Sequence, residues 1–310
     1  MRLVALFLIT SIAASSFASF ELLLVGDNGS NTTATRKIHR FDGDSGVYLG
    51  AFGAYNTDIR AIARRPGTNQ LFTLTTTHLF IQNFNTGELI NDFAVNATSL
   101  AFHPTNNFLY FTNSTTTITR ASLMTIDSGT LSSSNVLTDA GATSINSVGF
   151  TSTGIMMTAQ QRGGFPTVYS YSTSLVGFNS ATLLAGVPLG LVSRSSSGGA
   201  EVPYTFGGLG RFGRYNSFGQ SNAVISSTTL STGVAMAPGH VGSYLVGKDV
   251  TNPALGLVTR YSASGAEMQS FGNSVLRSPV AMASVVAPEP GTMAIVGLGL
   301  AALKLRRKRS

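Results

Sequence analysis

The sequence predicts an all-β protein built from a repeated four-stranded unit, and three observations carry this prediction. Short apolar runs such as residues 71–75 and 108–112 are β-type, and few stretches have the apolar spacing of an amphipathic helix. Turn-forming pairs such as Asp42-Gly43 and Thr86-Gly87 separate the runs. A similar unit returns about every 44 residues.

Two markers define the repeat. The first is an apolar strand that runs into a proline turn, at residues 61–66, 99–104 and 233–238, with weaker copies near 147, 190 and 279. The second is a polar–aromatic segment that ends in glycine, around Phe41, Phe84 and Tyr261. Four strands need about 40–45 residues, which is the size of one β-propeller blade.

The two ends of the repeat region predict a closed ring of six four-stranded blades over residues 19–286. Residues 20–52 contain a strand, the Asp-Gly hairpin and another strand, but lack the apolar first strand. Residues 280–286 supply such an apolar first strand, and no further repeat unit follows it in the sequence. Pairing the two pieces completes one blade and removes exposed sheet edges. A pair of β-sandwiches or a β-solenoid is the alternative. The repeat resembles propellers of the NHL and YVTN type.

The N-terminus has the features of a secretory signal peptide over residues 1–18. Arg2 precedes an apolar run at residues 3–9, and small residues follow as far as Ala18. Ser16 and Ala18 place small side chains at the −3 and −1 positions, so we expect cleavage after Ala18. The run is shorter than the roughly 20 residues of a membrane span, and a charge at position 2 is unusual for a core strand.

The C-terminus, residues 287–310, combines three distinct segments. Pro288, Glu289 and Pro290 form an extended peptide, because two prolines cannot donate backbone hydrogen bonds. An acid-free apolar stretch at 293–303 predicts one hydrophobic helix, shorter than the hydrocarbon core that it would enter. Positive charge stays on the cytoplasmic side of a membrane, so the body would lie outside. The basic cluster is Arg306, Arg307, Lys308 and Arg309.

This tail resembles the bacterial PEP-CTERM sorting signal. The resemblance implies recognition of Pro288, Glu289 and Pro290 by an exosortase, a membrane-embedded processing enzyme, with the basic cluster as a retention signal. It further implies a protein of a Gram-negative bacterium that is held briefly at the inner membrane and then passed to the cell surface or extracellular matrix. A plain tail anchor is the alternative. A lipid-anchor signal is disfavoured, because its hydrophobic tail would end the chain.

Charge and composition exclude several classes of function. The net charge of +7 is concentrated at the ends, and the body is nearly neutral, so no nucleic-acid partner is expected. The chain has no Cys, which removes disulfides, thiolate metal sites and a Cys nucleophile. Trp is also absent, and with it the Trp-Asp dipeptide of one large propeller family.

Candidate chemical motifs are weak, and the sequence identifies no catalytic, cofactor-binding or metal-binding residue. Residues 208–213 match G-x-G-x-x-G but lack the downstream acid, so we interpret them as a glycine-rich loop. Residues 42–46 resemble the start of a calcium loop without its closing Glu, so a hairpin turn is favoured over a weak Ca²⁺ site. The histidines lack metal-binding spacing; they are His39, His78, His103 and His240. Six strand aromatics predict packing rather than a sugar platform: Phe80, Tyr110, Phe111, Tyr169, Tyr171 and Phe271.

Two classes of function remain open. The favoured hypothesis is a non-enzymatic surface protein whose propeller binds a partner or has a structural role, for example with exopolysaccharide in a biofilm matrix. The alternative is an exported propeller enzyme such as a lactonase, lyase or hydrolase. Histidine and acidic side chains converging on the central channel would favour the enzyme, whereas Ser, Thr and Asn there would favour binding or structure.

Overall fold

A computed structural model describes the backbone of residues 19–288, apart from 31, 114, 151–153, 172–176, 183–189, 193–203, 208–210, 216–220, 227–228, 238–241, 250 and 263. Side chains are described chiefly within 21–171 and 247–284. The predicted signal peptide, the last two residues of the Pro-Glu-Pro tripeptide, the predicted C-terminal helix and the basic cluster lie outside the described residues.

The described strands form six four-stranded antiparallel sheets, numbered I–VI around the molecule. Sheet I contains β24 (Pro279–Pro288), β1 (Ser19–Asp27), β2 (Lys37–Asp42) and β3 (Tyr48–Phe52). Sheet II contains β4 (Ile59–Arg64), β5 (Gln70–Thr75), β6 (His78–Asn83) and β7 (Leu89–Ala94). Sheet III contains β8 (Ser99–Phe102), β9 (Phe108–Thr112), β10 (Thr117–Ser122) and β11 (Ser133–Thr138).

The other three sheets follow the same order along the chain. Sheet IV contains β12 (Ala142–Phe150), β13 (Met156–Arg162), β14 (Phe165–Tyr171) and β15 (Gly177–Thr182). Sheet V contains β16 (Gly190–Val192), β17 (Tyr204–Gly207), β18 (Arg211–Tyr215) and β19 (Ser221–Ser226). Sheet VI contains β20 (Thr229–Ala237), β21 (Gly242–Asp249), β22 (Gly256–Ser262) and β23 (Glu267–Phe271).

The first strand of each sheet contacts the first strand of its neighbours. These inner strands meet in the order β24, β4, β8, β12, β16 and β20, and β20 contacts β24 again. Sheets arranged around a set of inner strands form a β-propeller, so the predicted all-β propeller architecture is confirmed, whereas the count of six blades and the C-terminal helix stay predictions. Five of the sheets are built throughout from strands of four or more residues, whereas sheet V includes the three-residue strand β16.

The predicted pairing of the two ends of the repeat region is confirmed in sheet I. Strand β24 pairs antiparallel with β1, from Pro279 opposite Asp27 to Pro288 opposite Ser19. The N-terminal piece contributes three strands rather than the two that the sequence predicts. The last strand also continues two residues beyond Val286, the predicted end of the propeller domain.

A short helix, α1 (Leu123–Asp127), follows β10 and was not predicted from the sequence. Leu123 and Ile126 of this helix are buried against sheets II and III, so it replaces the hairpin that sheets I, II and VI have at this position. Within the described part of the chain, the structure contains no helix long and apolar enough to span a bilayer.

The inner strands of sheets I–IV begin at the same end of the molecule. The backbone N–H of Ile59, at the start of β4, donates to the side-chain oxygen of Asn28 at 2.8 Å, and Asn28 N–H donates to Ser278 O at 2.9 Å. Ser99, at the start of β8, and Ser147, within β12, bring their hydroxyl oxygens to 3.3 Å. We call this the loop end, and the end where β24 finishes at Pro288 the tail end.

The hydrophobic core lies between neighbouring sheets, where side chains from alternate strand positions face each other. Leu24, Ile38 and Ile59 pack with Leu71 between sheets I and II, for example. The six strand aromatics are core or core-packed side chains, as predicted: Tyr110, Phe111 and Tyr171 are buried, and Phe80, Tyr169 and Phe271 pack against the clusters.

Candidate functional site

The predicted sorting tripeptide begins inside the strand that completes sheet I. Pro288, its first residue, pairs with Ser19, which is the first residue after the predicted signal-peptide cleavage site. A proline at the end of a strand fits this position, since it has no N–H to contribute to a longer ladder. Both ends of the folded body therefore leave the propeller side by side, at one corner of its tail end.

The candidate calcium segment is a hairpin turn, as the sequence favours. The Oδ1 atom of Asp42 accepts hydrogen bonds from the backbone N–H groups of Asp44 and Ser45, both at 2.9 Å. The Arg260 guanidinium donates to Gly43 O at 3.1 Å and Asp44 O at 3.2 Å, which attaches the turn to sheet VI. These contacts give the segment a structural role in holding two sheets together.

The candidate dinucleotide motif does not have the strand–helix setting that such a site needs. Gly208 and Gly210 lie outside the described residues, but Arg211 and Gly213 belong to strand β18. The interpretation of the whole motif as a loop is therefore wrong for its second half, because Arg211, Phe212 and Gly213 pair with both β17 and β19. A pyrophosphate site of this type requires a helix start instead.

His103 is attached to its proline turn rather than freely solvated. Its Nδ1 atom accepts hydrogen bonds from the backbone N–H groups of Thr105 and Asn106, each at 3.2 Å. Its ring centroid lies 4.8 Å from that of Phe150 in sheet IV. Burial lowers the pKa of His103, so the neutral imidazole that this turn needs is favoured. His240 lies outside the described residues.

Three acidic side chains of the described residues are buried, Glu21, Asp27 and Asp139, and sequence reasoning identified none of them. Asp27 and Asp139 stabilise strand ends. Asp27 accepts backbone hydrogen bonds from Gly29, Ser278 and Arg277 at 2.7–2.8 Å, which fixes the segment that leads into β24. His39 Nε2 lies 3.9 Å from the carboxylate of Asp27. The desolvation of His39 on burial lowers the pKa of its imidazole, and the Asp27 charge opposes that change.

Asp139 is another buried acid, beside sheet IV. Its Oδ2 atom accepts hydrogen bonds from the Tyr171 hydroxyl at 2.5 Å and the Arg162 guanidinium at 2.6 Å, and its Oδ1 atom accepts one from Gly141 N–H at 2.9 Å. Burial alone would raise the pKa of Asp139, but these hydrogen bonds outweigh it and lower the pKa. Asp27 and Asp139 each precede a glycine by two residues, and this Asp-x-Gly pattern is the signal that could have identified them.

The loop end carries many polar, uncharged side chains on neighbouring loops, together with the Arg36–Asp58 ion pair at 2.7 Å. The Thr57 and Thr77 hydroxyls of sheet II lie 3.3 Å apart, and the Thr33 hydroxyl donates to Asn56 Oδ1 at 3.4 Å. Further exposed hydroxyl and amide side chains at this end are Ser30, Thr32, Asn113, Thr115, Thr138 and Thr143. Over the residues whose placement is described, no group of three His, Asp or Glu side chains could hold a metal ion.

Comparison with known proteins identifies the tail and the fold separately. The family model "PEP-CTERM protein-sorting motif" matches residues 286–309. Motifs of this family are recognised by exosortase membrane enzymes, and they mark an exported protein that is membrane-anchored through its sorting signal before processing. No curated protein matches the chain.

Two solved structures show the same fold at low identity. A crystal structure of a protein of unknown function from Bacteroides caccae has 10% identity and a TM-score of 0.62, over 86% of this chain and 99% of that one. A chain in the crystal structure of a mitotic checkpoint complex has 12% identity and a TM-score of 0.53, over 83% and 78% respectively. The chain is therefore a β-propeller protein that carries a C-terminal PEP-CTERM sorting motif.

Proposed function

We propose that this chain is exported by a Gram-negative bacterium, processed at both ends and displayed as a non-enzymatic propeller that binds extracellular polysaccharide. The observation that carries the proposal is the position of Pro288, where the strand that completes sheet I runs straight into the sorting motif. The body is thus a folded cargo attached directly to its processing site. In the proposed layout, residues 1–18 are removed after Ala18, and an exosortase acts at the motif that begins with Pro288, Glu289 and Pro290.

We further propose that the six sheets are the blades of one closed ring over residues 19–288. The cyclic contacts of the inner strands support this count, since β20 and β4 both contact β24. In a closed ring, every inner strand has a neighbour on both sides, which removes exposed edges from the molecule. Whether the blades are of the NHL or YVTN type stays a prediction from the repeat.

The polar loop end supports a binding role with polysaccharide. Threonine hydroxyls and asparagine amides both donate and accept hydrogen bonds, as sugar hydroxyls do. The inner strands also carry polar residues near this end, with Thr98 and Ser99 at the start of β8 and Asn146 and Ser147 within β12. Of the three buried acids in the described residues, Asp27 and Asp139 are occupied by structural hydrogen bonds, so the placement of these two favours binding over acid–base catalysis.

C-terminal mass spectrometry of the protein from its host tests the export step. We expect a mature chain that begins at Ser19 and lacks Arg309. Changing the motif with Pro290→Ala should leave the tail attached and the protein in the membrane fraction, whereas Pro66→Ala, in a turn of the body, should not. A mature, extracellular protein that still carries Arg309 would contradict processing.

Co-sedimentation of the mature protein with the host's exopolysaccharide tests the binding step. We expect the double variant Asn56→Ala/Thr77→Ala, at the loop end, to weaken binding several-fold. The matched control Asn135→Ala/Thr130→Ala changes exposed residues of the same types in and beside β11 and should bind normally. Release of shortened or unsaturated sugars from the polysaccharide would instead support the enzyme hypothesis.

A further inference from the structure

We infer that the tail end of the propeller lies on the membrane surface before processing, with an apolar rim in contact with the lipid interface. The inference rests on the proposed function only in taking the sorting tail to be membrane-inserted. The apolar rim consists of Val47, Tyr48, Leu49, Leu89, Ile90 and Met268.

The rim lies at equivalent positions of three adjacent sheets. Tyr48, Leu89 and Glu267 each begin the outermost strand of their sheet, directly after the hairpin, opposite Phe41, Gln82 and Tyr261. The rim side chains are exposed by 41–56%. Successive side chains of a strand point to opposite faces, and on an ordinary outer strand the apolar ones lie on the buried face. In β3 and in β7, two consecutive apolar residues are both exposed, so apolar side chains face solvent on both sides of the strand.

Exposed apolar side chains are distributed unevenly between the two ends. Of the eight large exposed hydrophobic residues in the described part of the chain, the six rim residues and Met124 on α1 lie at the tail end. Only Phe165, in the β13–β14 hairpin, lies at the loop end. The loop end instead presents threonine and asparagine, so the two ends suit different surroundings.

The length of the connecting chain brings the apolar rim to the bilayer. Pro288 leaves the body at the tail end, and only four residues separate it from Met293, where the apolar stretch begins. Even fully extended, this connection spans at most about 18 Å. Ser19 pairs with Pro288, so an uncleaved signal peptide would leave from the same corner. The inserted sorting tail would therefore hold this end of the propeller close to the lipid.

The chemistry of the rim fits a lipid interface. Aliphatic side chains together with a tyrosine are typical of surfaces that enter the headgroup–acyl boundary. The exposed charged neighbours of the rim are acidic, namely Asp44, Glu88 and Glu267, whereas Arg260 is mostly buried and donates to the adjacent turn. We therefore expect apolar contact rather than charge attraction to hold this surface on the membrane, with little dependence on salt.

The absence of Trp from the chain allows a direct test, because a single introduced Trp is the only one present. Full-length precursor carrying Leu89→Trp is reconstituted in phosphatidylcholine vesicles whose acyl chains are brominated near the headgroup. We expect blue-shifted emission and about twofold quenching relative to unbrominated vesicles. The matched control Phe165→Trp, also at an exposed hydrophobic position, should be quenched by aqueous iodide and not by the lipid.

Equal lipid quenching of the two variants, or none in either, would overturn the inference. Circular dichroism must show the native spectrum for both, and Ile90→Trp replaces Leu89→Trp if that variant does not fold. Host processing separates this result from the proposed function. Lipid quenching of Leu89→Trp without tail removal in the host would leave the orientation standing and the processing wrong. Tail removal in the host, with both tryptophans equally exposed to water in the vesicles, would leave the processing standing and the orientation wrong.

Discussion

At the scale of single residues, buried polar groups connect strand ends rather than form a reaction centre. Asp139 is held by a charged, a phenolic and a backbone donor, and a buried carboxylate with three such partners is costly to disrupt. The ion pair of Arg65 and Asp127 is different, because the Asp127 side chain is 45% exposed. Its two charges are largely screened by water.

Asp139→Asn should therefore destabilise the protein more than Asp127→Asn. We expect the free energy of unfolding to fall by about 1.5–3 kcal/mol for Asp139→Asn and by about 0–1 kcal/mol for Asp127→Asn. Urea denaturation of both variants measures the difference. The lowered pKa of Asp139 means that its contribution is present above the ordinary pKa of 3.8 and is lost as pH falls through the lower folded value. Equal losses in the two variants would refute a special role for Asp139.

The buried His39 predicts a second pH dependence, at milder acidity. Burial lowers the pKa of its imidazole, Lys37 lowers it further, and Asp27 opposes both. Below the ordinary pKa of 6.5 the unfolded chain takes up a proton that the folded protein resists, so stability falls on acidification until the folded pKa is passed. His39→Gln should flatten the dependence of unfolding free energy on pH between 7 and 5, leaving a smaller slope from His103. An unchanged slope would contradict this assignment.

At the scale of elements, a repeated contact joins the hairpin of one sheet to the sheet before it. Arg40 of sheet I donates to Asn85 O in the sheet II hairpin at 2.7 Å. Arg260 of sheet VI likewise donates to Gly43 O in the sheet I hairpin at 3.1 Å. A glycine with positive φ in each hairpin then faces an aromatic side chain, Gly46 against Phe271 and Gly87 against Phe52. Sheet III has α1 in place of a hairpin, and Arg65 binds Asp127 there instead.

Gly87→Ala tests this contact, and Gly67→Ala is its matched control. Both glycines have positive φ, 76° and 71°, but an added Cβ at Gly87 would lie 2.6 Å from Phe52 Cβ, whereas nothing lies within 4 Å at Gly67. Gly67→Ala should cost about 1 kcal/mol for backbone strain alone. Gly87→Ala should cost about 2 kcal/mol more, because Phe52 must move. Thermal unfolding measures both, and equal shifts in Tm would show that the hairpin packing contributes little.

At the scale of the whole molecule, the periodic features were predictable and the local ones were not. The recurrence of Ala61–Pro66-like strands and of Phe41-like turns predicts the sheets and the pairing of the ends, because both are fixed by spacing. The helix α1 was missed because five residues carry too little periodicity to predict a helix. The Asp27 and Asp139 networks join residues far apart in sequence, and the apolar rim depends on which strand is outermost, so no local pattern identifies either.

The closing strand supplies the last prediction, since sheet I is the only described sheet assembled from both ends of the chain. A mature chain that starts at Ser19 and stops at Pro288 keeps every β1–β24 pair, so its Tm should equal that of a chain retaining the tail. A chain that stops at Ser278 loses β24, exposes the edge of β1 and leaves Leu24 and Ile38 without part of their packing. We expect broad, non-cooperative unfolding and rapid proteolysis of residues 19–52. Calorimetry and limited proteolysis of the two chains measure this, and equally cooperative unfolding would show that the ring does not depend on its last strand.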